Sequence, residues 1–203
     1  MIQEFKSEML TAFEMTDLGE MSYFLGMEIS QSQKGIFICQ RKYAYEILKI
    51  FSMENSKPIG TPLCQILKLC KDDKSDKVDV GIYRSLIGCL LYLTSTRLDL
   101  TFAASLLSRF MNSPSVTHFQ AAKRVLRYLR GSMDHGIMFK KVDKMELIGY
   151  TDSYWVGSID DMRSTYGFFL YNWVCPGLSR YCVMESGCVA SLYYARLRNL
   201  KWA

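Results

Sequence analysis

Residues 83–130 constrain the fold more than any other stretch, because three helical apolar patterns follow one another there with short breaks. In the first, Tyr83, Leu86, Ile87, Leu90 and Leu91 recur at helical spacing, which predicts a helix from Tyr83 to about Leu93. Arg84, Gly88 and Tyr92 lie one turn apart on its opposite side. The second pattern predicts a helix from Asp99, placed to act as N-cap, to Met111. Its apolar stripe is Phe102, Ala103, Leu106, Leu107 and Phe110. Asn112-Ser113-Pro114-Ser115 breaks the pattern. In the third, Thr117 and Gln120 have the spacing of a capping box. Phe119, Ala122, Val125, Leu126 and Leu129 then face a core, and Gly131 marks the stop. Lys123, Arg127 and Arg130 line an outer face of this helix, with Arg124 beside them.

The charge is concentrated in the same region. Residues 83–145 hold 10 Lys/Arg against 3 Asp/Glu, a net +7, whereas residues 1–82 carry −2 and residues 146–203 are neutral. A basic helical region attracts polyanions, but a solvated helix face has the same composition, and charge alone leaves both readings open. Seven cysteines at irregular spacings, no Cys-x-x-Cys pair and two histidines speak against a zinc site or a disulfide framework. No window has the 18 or so uninterrupted apolar residues of a membrane span, so no membrane partner is expected. The first ten residues, MIQEFKSEML, are charged throughout, unlike a signal peptide.

Taken in order, residues 2–15 predict an amphipathic helix with Ile2, Phe5, Met9, Leu10 and Phe13 on one side. Tyr23 to Ile29 reads as a strand with Gly26 inside it, Gln33-Lys34-Gly35 as a turn, and Ile36 to Cys39 as the second strand of a β-hairpin. A glycine in a strand marks either close approach of a ligand or backbone, or a packing bulge. Arg41 to Phe51 predicts a helix with Tyr45, Leu48 and Phe51 inward. Residues 63–82, with the mixed-charge run Lys71 to Lys77, have no apolar period and read as an exposed linker. Ile137-Met138-Phe139 reads as a short strand, and Glu146 to Asp152 as a strand ending in a carboxylate.

The pattern YRSLIG..LYLT.TR.D..FA...LSRFM..PS..H..AAKRVLRYL.G resembles the Pol polyprotein of copia-type retrotransposons, between the reverse transcriptase palm and ribonuclease H. The stretch FEMTDLGEMSYFLGMEI, followed by GIFICQRKYAYEILKIFSM, resembles the same family. The resemblance implies an α+β chain in four parts: a palm end with a primer-grip hairpin in 1–62, a linker in 63–82, helical thumb and connection elements in 83–145, and a truncated mixed-sheet ribonuclease H start in 146–203. It places Phe24, Leu25, Gly26 and Met27 at the primer contact, and the first central helix along the minor groove of a primer–template duplex. There Arg84 contacts phosphate, Tyr92 packs on sugar or base, and Gly88 admits the nucleic acid backbone, although close helix packing is an equal explanation for Gly88. Lys123, Arg124, Arg127 and Arg130 add sequence-independent phosphate contacts. The implied partners are RNA–DNA or DNA duplex and other Pol segments, and the implied location is cytoplasmic particles, with the nucleus second.

SYWVGSIDDMRSTYGFFLY resembles the opening of the family's ribonuclease H domain, and Asp152 matches its first metal-binding aspartate. The family's cofactor is a magnesium pair, which carboxylate clusters hold during phosphodiester hydrolysis. Tyr154 stands where a second aspartate is usual, the Ser-Trp strand and glutamate-bearing helix are absent, and no Tyr-x-Asp-Asp polymerase motif occurs. Asp160 and Asp161 read as a solvated turn. The expectation is therefore an inactive fragment that binds duplex and holds no Mg2+. The alternatives are a ribonuclease H completed in trans and a translated relic without function. Resemblance fades after about Tyr171. Met184-Glu185, necessarily encoded ATG-GAR, hides a Trp codon one nucleotide along, so a frame slip accounts for the divergent tail.

Overall fold

The computed structural model describes residues 2–33, 35–64, 69–140, 147–154, 160, 165–172 and 180–185. The chain is α+β. Helix α1 (Ile2–Ala12) precedes strands β1 (Tyr23–Phe24), β2 (Met27–Ser32) and β3 (Gly35–Cys39) and helix α2 (Arg41–Ile50). Then come α3 (Val80–Leu93), a 3-10 turn at Leu98–Leu100, α4 (Thr101–Ser108) and α5 (Val116–Gly131). Strands β4 (Gly136–Lys140), β5 (Leu147–Tyr154), β6 (Thr165–Asn172) and β7 (Arg180–Glu185) follow.

The four helices α2 to α5 share one core, because each has an apolar stripe that only the others can cover. Ala44, Ile47 and Leu48 of α2 meet Tyr83, Leu86, Ile87, Leu90 and Leu93 of α3, Ala103, Ala104 and Leu107 of α4, and Ala122, Val125, Leu126 and Leu129 of α5. The buried Tyr83 hydroxyl donates to the Leu107 carbonyl at 2.9 Å, so the one polar atom that α3 sends into this core is satisfied.

Strands β1 to β4 form an antiparallel sheet in sequence order. Strand β4 comes from beyond α5 and pairs with β3, so elements on both sides of residues 63–82 build one sheet. Gly136 lies opposite Cys39, and a Cβ there would sit 2.4 Å from the Ile38 carbonyl oxygen and 2.8 Å from Cys39 Cβ. Strands β5, β6 and β7 make a second, antiparallel sheet in which Asp152 pairs with Gly167. Trp155, Gly157, Asp161, Arg163 and the tail from 186 lie outside the described residues.

Several expectations are corrected. Gly26 is not inside a strand: Tyr23–Phe24 and Met27–Ser32 are separate strands, and Leu25-Gly26 is the turn between them. Tyr45 points outward and Lys49 Nζ sits 4.7 Å over its ring, while Ala44 and Ile47 take the inward places. Leu91 and Phe102 border their helices' stripes and are exposed, whereas Leu90 and Leu93 on either side of Leu91 are buried. Asp99 does not cap α4. It lies in the 3-10 turn, and its carboxylate accepts from Arg97 and Tyr128. The capping box of α5 is Ser115 with His118, two residues before Thr117 and Gln120. Helix α3 starts at Val80, where the Asp79 carboxylate accepts from the Ile82 amide at 2.7 Å. Asp160 lies in a turn and is exposed, as expected, and its carboxylate also accepts from the Lys71 amide at 2.9 Å.

Candidate nucleic-acid interface

The site is built on the outer face of α3. Its inner face is fixed by Tyr83, Leu86, Ile87, Leu90 and Leu93, so helical spacing forces Gly81, Arg84, Ser85, Gly88 and Tyr92 outward. An interior helical glycine costs about 1 kcal/mol relative to alanine. Among the described residues, close helix packing does not account for that cost at Gly88: a Cβ built there meets none of their atoms within 4 Å. The gap lies on the solvent side of the helix.

Tyr92 links this face to the hairpin. Its hydroxyl donates to the Leu25 carbonyl in the turn between β1 and β2. Leu25 and Gly26 both have positive φ, 47° and 74°, as a two-residue hairpin turn of type I′ requires. Gly26 tolerates that conformation, and its missing Cβ also makes room, since a Cβ would lie 3.2 Å from Tyr92 Oη. Leu25 lacks such freedom and holds a backbone disfavoured for a branched side chain. Phe24 and Leu25 stay exposed at the tip, whereas Met27 is half-buried. Thus Phe24, Leu25, Gly26, Met27 and Tyr92, far apart in sequence, come together at one end of α3.

The basic residues divide. Arg84 is exposed, with Nε donating to the Met111 carbonyl at 3.1 Å and Nη2 approaching Asn112 Oδ1 at 3.4 Å. Lys123 is exposed, its Nζ 4.7 Å over the Phe119 ring, and Arg127 is half-buried. Arg124 and Arg130 are turned toward the segment after α2. Arg124 Nη2 donates to Thr61 Oγ1 at 2.8 Å, and Arg130 Nε to the Glu54 carbonyl at 2.7 Å. They fasten that segment to α5, so half of the basic face serves packing.

Sequence reasoning missed the groups that hold this surface in place. Arg97 is 2% exposed, pairs with Asp99 at 2.7 Å and donates to the Ser132 carbonyl at 2.8 Å. Burial acts to raise the Asp99 pKa, and the Arg97 guanidinium more than offsets it, leaving the carboxyl below its usual range. Asp73, in the stretch read as linker, accepts from Ser115 Oγ at 2.6 Å and from Thr117 Oγ1. Those two hydroxyls, Ser115 first, hold the Asp73 carboxyl well below the ordinary carboxylate range. Lys77 bridges to Ser115. Apart from Arg97 with Asp99, two positions away, these pairings span dozens of residues and nothing in local sequence marks them.

Asp152 lies on the second sheet. Across β5, β6 and β7 its row continues through Gly167 and Val183, neither of which bears a carboxylate. Among the described residues no group of three or more His, Cys, Asp or Glu side chains is placed to hold an ion. Also among the described residues, no helix is long and apolar enough to cross a membrane.

An α+β chain whose N-terminal third matches the reverse transcriptase (RNA-dependent DNA polymerase) family, over residues 1–65, is reverse transcriptase-like. It is 38% identical over 159 residues to a retrovirus-related Pol polyprotein from transposon RE2 of Arabidopsis thaliana, a match covering 78% of this chain and 11% of the relative. It is 35% identical over 178 residues to the Pol polyprotein from transposon TNT 1-94 of Nicotiana tabacum, covering 83% and 13%. An uncharacterized mitochondrial protein of Arabidopsis thaliana is 39% identical over 162 residues, covering 79% and 67%. The chain belongs to the copia-type retrotransposon Pol family. It spans about a tenth of the length of the transposon polyproteins it matches. No solved structure matches it.

Proposed function

We propose that this reverse transcriptase-like Pol fragment binds RNA–DNA or DNA duplex without sequence choice and has no polymerase or nuclease activity by itself. In this reading residues 83–145 are the thumb and connection region, the turn Phe24–Met27 is the primer-grip contact, and 146–203 is a truncated ribonuclease H start. Reverse transcriptases use divalent metal, but the described residues offer no set of three or more ligands to hold it. Other Pol segments are the natural protein partners, in cytoplasmic particles.

The observation that carries the binding role is Gly88. It costs α3 stability, has open space among the described residues, and is flanked one turn away on either side by Arg84 and Tyr92. A partner outside the chain gives that open space a purpose, and a sugar–phosphate backbone suits a glycine bordered by the Arg84 guanidinium. The antiparallel order β5–β6–β7, with Asp152 on its first strand, supports the ribonuclease H assignment. The deciding experiment is Gly88→Ala. It should raise stability by about 0.5–1 kcal/mol through helix propensity, yet weaken binding to a labelled RNA–DNA hybrid. A variant that is more stable and binds as well as wild type sinks the reading.

A further inference from the structure

We infer that Tyr92, supported by Tyr43, is a positioning residue that braces the hairpin turn Phe24–Met27 against α3, so that turn and helix meet a duplex as one surface. The inference rests on the duplex-binding reading above and specifies how its two halves are joined.

The turn needs such a brace. Strand β1 has two residues, so behind the turn lie only the pairs Tyr23↔Glu28 and Phe24↔Met27 and one bond from the Ile29 amide to the Ser22 carbonyl at 2.8 Å. A hairpin that short is marginal without outside support. Leu25 holds φ 47°, and a backbone of that kind persists where its surroundings over-determine it. The Tyr92 hydroxyl supplies that constraint by donating to the Leu25 carbonyl. Gly26 lets the ring come close, with its Cβ position 3.6 Å from Tyr92 Cε1.

Tyr92 is itself held from the other side. The Tyr43 ring of α2 meets it edge-to-face, centroids 4.9 Å apart at 83°. Burial, and then the Cys89 side chain one turn before Tyr92, raise the Tyr43 pKa and keep its hydroxyl protonated. Three elements, α2, α3 and the β1–β2 turn, therefore converge on one phenol. The groups left facing outward are Phe24 and Leu25, 52% and 67% exposed. Tyr92 spends its hydroxyl on the protein, and its contribution to binding is the placement of those two side chains.

The test is a double-mutant cycle on the full chain, read as affinity for a short labelled RNA–DNA hybrid. Tyr92→Phe removes the hydroxyl and keeps the ring against Tyr43; Phe24→Ala removes a tip side chain and keeps the brace. Each should weaken binding several-fold, and the double variant should bind no more weakly than the worse single one, because both act through the same tip. Amide exchange at Gly26 and Met27 in the free protein should quicken in Tyr92→Phe. Additive effects mean that Tyr92 touches the duplex directly and overturn the inference, as does a Tyr92→Phe variant that binds like wild type or leaves tip exchange unchanged. If the wild-type chain binds no hybrid, the duplex reading itself falls and takes this inference with it.

Discussion

Ser115 and His118 cap each other at the start of α5. The Ser115 amide donates to His118 Nδ1 at 3.1 Å, which leaves Nε2 as the protonated nitrogen, donating to the Cys70 carbonyl at 3.0 Å. His118 is fully buried and stacked on Phe110, ring centroids 3.9 Å apart. Both ring nitrogens are thus committed in the neutral form, and a second proton at Nδ1 would cost the bond from the Ser115 amide and turn to Ser115 Oγ, 2.8 Å away.

A pH dependence follows. Burial, the largest influence, lowers the His118 pKa in the folded chain, while Asp73, the Cys70 carbonyl and Asp160 work to raise it and Lys77 to lower it. The unfolded chain therefore takes up the proton first, and this contribution to stability is complete above about pH 6.5 and falls as the pH drops below it. Asp73, whose folded pKa is also depressed, adds a further loss as the pH falls through the ordinary carboxylate range, near 4. Urea midpoints at pH 7.5 and 5.5 should differ for wild type, and the difference should shrink in His118→Gln. An equal drop in that variant would assign the effect elsewhere.

Gly136→Ala should destabilise the protein by about 1–3 kcal/mol, the usual cost of forcing a methyl group into filled space. The space is filled by the Ile38 carbonyl and the Cys39 side chain of β3. Gly60→Ala, where a Cβ meets nothing within 4 Å among the described residues, is the control and should leave the urea midpoint nearly unchanged. Equal effects at the two positions would mean that the β3–β4 pairing is not close.

The core of α3 was legible because five apolar residues at helical spacing define one face, and four of the five are buried. Leu91 and Phe102 were assigned inward because apolar residues beside a stripe cannot be told from residues in it. The cap of α5 was misplaced because His118 occupies a position where the usual signature is Glu or Gln. Gly26 was read inside a strand because Leu-Gly lacks the Asn-Gly signature of a type I′ turn. The outward face carrying Arg84, Gly88 and Tyr92 could be read, but the attachment of Tyr92 to Leu25 spans 67 positions and leaves no periodic trace. For the same reason a mixed-charge stretch such as Lys71 to Lys77 looked solvated although Asp73 is fastened to α5.

Arg97→Met should cost about 3 kcal/mol in urea unfolding, the lower end for breaking a buried ion pair, since the Asp99 side chain keeps 33% of its surface. The change also strips the Ser132 carbonyl of its donor. Arg97→Lys should recover only part of the loss, because an ammonium cannot reach Asp99 and Ser132 together in the guanidinium's fork geometry. Full recovery by lysine would reduce the role of Arg97 to charge alone.

The four basic residues of α5 should separate into two pairs. Arg124→Ala and Arg130→Ala remove donors to Thr61 and to the Glu54 carbonyl, so each should lower stability by about 1 kcal/mol. Lys123→Ala with Arg127→Ala should leave the melting temperature nearly unchanged, because Lys123 is exposed and no hydrogen bond or ion pair ties either side chain among the described residues. If these two contact phosphates, the double variant should bind every duplex sequence more weakly, and the slope of log affinity against log salt should become shallower by about 2. Phosphate contacts of this type carry no base information, so the loss should be equal on A·T-rich and G·C-rich hybrids. A folded double variant with wild-type affinity and salt slope would make this face of α5 a solvated surface and leave binding to α3 and the hairpin tip.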